Sequence, residues 1–212
     1  MIYGACLDDN LPLHDIVSAL GDISGQFNWL ISDYQLFSSN DDLIPVEKDY
    51  IWLNGDDFRK LLDTDLFAVW CVISAFPKNV ALEDVLEFDL PYADGNPGFW
   101  VDDVSLQTPL TELEIVVFDS SSCFILSKYR SHRDRFLNAF PGSYDLISNN
   151  IRTNAIIRTI TDEICNLPEY SADKQFPWRF YHAILNDIPL EPEYNELLEK
   201  CKLKLKQNGL IN

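Results

Sequence analysis

The chain has 212 residues, 47% of them apolar and 13% aromatic, and 34 Asp+Glu against 16 Lys+Arg set a net charge of −18. This composition suffices for a full-sized buried core and excludes an intrinsically disordered chain. No apolar run approaches the roughly 18 residues of a membrane-spanning helix, and the negative field argues against nucleic acid or an anionic membrane as partner.

In chain order, residues 1–7 read as a first strand ending at Asp8-Asp9, with no basic leader of the kind that opens a secretory signal. Ile16, Val17, Leu20 and Ile23 recur at helical spacing, so a helix is expected over 13–23. Residues 27–34, rich in aromatic and β-branched side chains, predict a strand, and the polar Ser38-Ser39-Asn40-Asp41-Asp42 ends it. A short strand at 49–53 leads into Asn54-Gly55 and a helix over 58–62, for which Asp56 or Asp57 is the expected cap. The apolar run 66–76, stopped at Pro77, reads as a buried central strand. One or two helical turns at 81–86 follow, then a Gly/Pro/Asn/Asp loop at 91–98 and an exposed Phe99-Trp100.

Residues 112–118 alternate as a half-buried strand, and Asp119-Ser120-Ser121-Ser122 turns the chain into a second strand at 123–127. Helices are expected over 129–140, 144–165, 178–185 and 193–206, the last carrying a favourable Glu196–Lys200 pair. Short connections between neighbouring strands favour a mixed, mainly antiparallel sheet. The expected fold is therefore α+β, with that sheet flanked by helices in an acidic domain over 1–142 and a helical C-terminal unit over 143–212.

The charge is located, not diffuse. Residues 1–127 hold 23 Asp+Glu against 4 Lys+Arg, a net of −19, whereas 128–212 hold 11 against 12. Such asymmetry raises association rates with basic proteins.

Chemistry-bearing motifs are scarce. His14, His132 and His182 fall in three separate predicted helices, each without a second ligand type nearby. No GxSxG, HExxH, phosphate-binding loop or GxGxxG string occurs. The odd set Cys6, Cys71, Cys123, Cys165 and Cys201 has no CxxC spacing and reads as reduced thiols of a cytoplasmic protein. The doublets Asp8-Asp9, Asp41-Asp42, Asp56-Asp57 and Asp102-Asp103 lack calcium-loop spacing and sit where caps and turns are expected. No metal, cofactor or catalytic residue is assigned. What remains is recognition: Asp94, Phe99, Trp100, Asp102 and Asp103, with Asp56, Asp57, Asp41 and Asp42, form the expected partner-binding set, aromatic anchors amid steering carboxylates.

Phe27-Asn28-Trp29, Ile51-Trp52-Leu53-Asn54-Gly55, Ser74-Ala75-Phe76-Pro77-Lys78 and Glu114-Ile115-Val116-Val117-Phe118-Asp119-Ser120-Ser121 resemble the punctuation of small bacterial α/β proteins of the polymorphic-toxin immunity type. The resemblance covers residues 1–140 and involves strand-core and turn residues. It implies a non-enzymatic antitoxin-like inhibitor whose partner is a basic toxin, such as a nuclease. A DNA-mimicking anti-restriction inhibitor and a carboxylate- or metal-dependent hydrolase are the alternatives that the acidity leaves open.

Overall fold

The computed structural model describes residues 1–38, 44 and 48–212; Asp41 and Asp42 lie outside them. The chain divides into two units, Met1–Ile147 and Ser148–Asn212, where the sequence reading set the change of character after 142. No helix among the described residues is long and apolar enough to cross a membrane.

The first unit carries one sheet of seven strands: β1 (Tyr3–Leu7), β2 (Phe27–Phe37), β3 (Tyr50–Leu53), β4 (Phe67–Pro77), β5 (Leu113–Phe118), β6 (Ser122–Ser127) and β7 (Tyr144–Asp145). Their spatial order is β3-β2-β4-β5-β6-β1-β7, and every described pairing is antiparallel. The fold is thus α+β as expected. β4 lies between β2 and β5, both of its faces are covered, and its apolar run is continuous for that reason.

One face of the sheet is covered by α1 (Leu13–Ala19), α2 (Gly55–Leu62) and α4 (Arg130–Ala139). Leu13, Ile16, Val17 and Leu20 pack there with Phe58, Leu61, Leu62 and Phe136 against Trp29, Ile31, Ile73, Ala75, Ile115 and Ile125. Trp29 stacks on Phe58 with ring centroids 4.1 Å apart, and its indole N–H donates to the Ser24 carbonyl at 2.8 Å. The cap of α2 is Asn54, whose side-chain oxygen accepts from the Asp56 and Asp57 amides at 3.0 Å each. That corrects the expectation of an aspartate cap, because the helix begins at Gly55, one turn earlier than its apolar pattern shows.

The opposite face receives Leu146, the first residue of a helix that continues to Ile164, and a cover made mostly of loops. The segment between β4 and β5 lies over this face, containing only α3 (Leu82–Val85) and a 3-10 turn at Pro97–Trp100. Val85 packs there with Leu30 and Phe76, and Ala93, Phe99 and Val104 pack with Val72, Val116, Phe124 and Leu126. β5 is consequently buried on both faces rather than half-exposed, and Glu114 is fully buried. Asp119 and Ser120 adopt positive φ (50° and 49°) in the β5–β6 turn, a backbone state that Asp and Ser tolerate better than branched residues.

The second unit contains most of α5 (Leu146–Ile164), with α6 (Pro168–Ala172), α7 (Phe176–Asn186) and α8 (Asn195–Gln207). Tyr144 and Asp145, expected as helix, pair instead with β1, so α5 begins two residues later. Ile156, Ile160 and Ile164 of α5 pack with Phe176 and Phe180 of α7 and Leu198, Cys201 and Leu205 of α8. Lys200 pairs with Glu163 at 2.6 Å, across helices, instead of with Glu196 on its own helix.

Candidate protein-docking face

Between Lys78 and Lys128 the chain holds no basic residue. The layer over the second sheet face, residues 79–111, therefore carries seven carboxylates (Glu83, Asp84, Glu87, Asp89, Asp94, Asp102 and Asp103) and no lysine or arginine. All but the half-buried Asp102 are exposed. The same layer exposes Leu86, Phe88, Tyr92, Trp100 and Val101, each between 39% and 47% accessible. Large apolar side chains set among like charges are what a protein–protein contact uses, the aromatics for buried area and the carboxylates for steering. The first unit as a whole has 25 acidic against 8 basic side chains, a net of −17, and the second has 9 against 8.

Polar side chains hold this layer to the sheet. β2 contains a bulge, its register shifting between Ser32 and Gln35, and there Asp33 takes φ 43°. The bulge turns the Asp33 carboxylate so that one oxygen accepts from the Ala93 and Asp94 amides at 2.6 and 2.8 Å. Ser32 donates to the Pro91 carbonyl at 2.6 Å, and the Asn28 amide donates to the Val80 carbonyl at 3.3 Å. Gln107 joins the layer to itself, its side-chain oxygen accepting from the Tyr92 amide at 2.9 Å and from Asn96 at 3.0 Å. The Gln107 backbone N–H in turn donates to Glu114 Oε1 at 2.8 Å. Burial pushes the Glu114 carboxyl up to about 7, opposed in part by the Gln107 backbone and side chain.

Trp100, expected to be exposed, is 40% accessible and meets the Phe118 and Phe124 rings edge-on at 5.7 and 5.8 Å. Phe99, expected beside it at the surface, is buried on Phe124 instead, because the 3-10 turn directs adjacent side chains to different sides. Asp94, Asp102 and Asp103 belong to the same layer as Trp100. Asp56 and Asp57 do not. They lie on α2, against the other face of the sheet, where they pair with Arg59 at 3.2 Å and Lys60 at 2.7 Å. Asp41 and Asp42 fall outside the described residues. Leu86, Phe88, Tyr92, Asp33 and Gln107 escaped the sequence reading. The span without a cation from 79 to 127 was the signal that could have marked the layer.

Elsewhere the chemistry is sparse. Among the described residues no group of three or more His, Cys, Asp or Glu is placed to hold a metal ion. His132 is buried with Nδ1 2.9 Å from Ser127 Oγ, and burial pulls its pKa down. His14 is exposed on a cleft of about 530 Å³ that includes Asp63, Thr64 and Asp65. Cys6, Cys71, Cys123 and Cys201 are buried and Cys165 is exposed, all as free thiols. Comparison with known proteins finds no matching family model, no matching curated protein and no matching solved structure.

Proposed function

We propose that this protein is a non-enzymatic, cytoplasmic inhibitor of the immunity type, which binds a basic partner protein, such as a nuclease toxin, through the layer at residues 79–111. One observation carries the reading: seven carboxylates and five exposed large apolar side chains share a layer that contains no lysine or arginine. A basic nuclease presents the opposite charge on its nucleic-acid-binding surface, so such a layer both attracts and covers that surface. The apolar side chains between the carboxylates favour a shaped plug over a DNA mimic, whose charged face needs no aromatic anchors. The test is co-expression with the products of neighbouring genes, followed by co-purification and a toxicity assay. Protection and a stable complex that Asp94→Lys, Asp102→Lys and Asp103→Lys together abolish support the reading. Protection or binding untouched by those reversals moves the contact elsewhere.

A further inference from the structure

Among the described residues Glu114 is the only fully buried carboxylate, and it lies beneath the docking layer. The groups in register with it or bonded to it are neutral: Ser74 on β4, Leu126 on β6 and Gln107 in the layer. Glu112, two residues earlier, pairs with Lys128 at 3.0 Å. That lysine also donates to the Pro109 carbonyl, and Tyr129 hydrogen-bonds Glu112. The layer's own titratable groups are Tyr92 and its seven carboxylates, of which only Asp102 is not exposed. A carboxylate in such surroundings loses hydration without gaining a counter-ion, so its charged form is disfavoured while the site stays closed.

Gln107 ties this carboxyl to the layer. Its backbone N–H donates to Glu114 Oε1 at 2.8 Å, and its side chain also hydrogen-bonds the carboxyl. The Gln107 side-chain oxygen meanwhile accepts from the Tyr92 amide and from Asn96. Two routes bring water to Glu114. Parting β4 from β5 breaks the middle of the sheet, whereas lifting the layer breaks side-chain bonds and bares Val72, Val116, Phe124 and Leu126. The second route costs less, because the cover is mostly loops.

We infer that the docking layer is a proton-linked lid, held shut over the protonated Glu114 carboxyl and lifting more readily once that carboxyl ionises. Opening hydrates Glu114 and returns it to the ordinary carboxylate range, so the open state releases a proton that the closed state holds. Burial pushes the closed-state carboxyl from 4.5 up to about 7. The proton's contribution to closure is therefore complete below pH 4.5 and is lost as the pH rises through 7. The inference holds whatever the layer binds.

Amide hydrogen exchange of the intact chain, followed by NMR from about pH 5 to pH 8 and corrected for intrinsic rates, tests it. The Tyr92 and Gln107 amides should open more readily than the ladder amides of β4 and β5 at every pH. Their opening constant should rise on the order of 50-fold across that range. Glu114→Gln should abolish the rise. In the unmodified chain, a carboxyl-carbon titration of Glu114 should have its midpoint where the rise levels off, which decides the matter even if that variant does not fold. The inference is overturned if Tyr92 and Gln107 exchange only together with the ladder, or if their opening is independent of pH. It is equally overturned if the rise survives Glu114→Gln, or if Glu114 titrates in the ordinary carboxylate range.

Discussion

Replacing Glu114 by Gln leaves shape and hydrogen-bonding nearly intact while removing one titratable group from the middle of the sheet. In the folded chain burial pushes this carboxyl from its ordinary 4.5 up to about 7. The folded state therefore binds the proton more tightly than the unfolded state does. The associated stability is fully present below pH 4.5, declines as the pH rises towards 7, and is lost above it. A separation of about 2.5 pKa units corresponds to roughly 3 kcal/mol at most, at about 1.4 kcal/mol per unit. Urea unfolding of both proteins from pH 4 to pH 8.5 measures this as a difference curve, in which the other titrating groups largely cancel. Glu114→Gln should match the parent to within a constant offset at low pH, then gain on it between pH 4.5 and 7, levelling off above. A flat difference, or a variant that loses ground as the pH rises, would refute the claim that Glu114 is buried without a cation.

Three further outcomes follow from the same contacts. Asp33→Ala removes the acceptor of two backbone amides, so it should destabilise the chain by about 1–3 kcal/mol, and hydrogen exchange should quicken selectively at Ala93 and Asp94. Gly55→Ala should destabilise by about 1–3 kcal/mol in denaturant titration, since a Cβ there would overlap the Ser24 carbonyl and lie 2.7 Å from Gly25 Cα. With an aromatic disulfide reagent, the native chain should release one thiol quickly, from Cys165. The buried Cys6, Cys71, Cys123 and Cys201 should react only on unfolding, because burial holds their thiols at about 11–12 and away from the reagent.

Elements whose pattern reports a single local cause were legible in the sequence. β4 could be read because a strand covered on both faces is apolar throughout, and α1 because its buried positions recur at helical spacing. The β5–β6 hairpin was legible from its turn residues. The burial of Glu114 was not, because alternation with glutamate is the ordinary mark of a solvent-facing strand. Nothing local reveals that a segment of loops, closing from residues 79–111, covers that face. The split of the acidic doublets has the same origin. Asp56-Asp57 and Asp102-Asp103 are alike as sequence, but α2 packs on one side of the sheet and the covering layer on the other. Asp33 was invisible as an anchor, since its role depends on a bulge that turns one residue of β2 out of register. Phe99 and Trp100 diverge because a 3-10 turn buries one neighbour and leaves the other accessible.

The central claim is that the layer, and not acidity in general, binds a basic partner. It is tested by measuring association of the neighbouring-gene product with two charge-reversed forms of this protein. In the first, Asp89, Asp94 and Asp103 in the layer become Lys. In the second, Asp56 and Asp57 on α2 become Lys, a control on the opposite face of the sheet. The layer variant should lose on the order of tenfold or more in association rate, more steeply at low salt, while the α2 variant stays close to the parent. Equal losses in both, or a loss confined to the α2 variant, would contradict the claim.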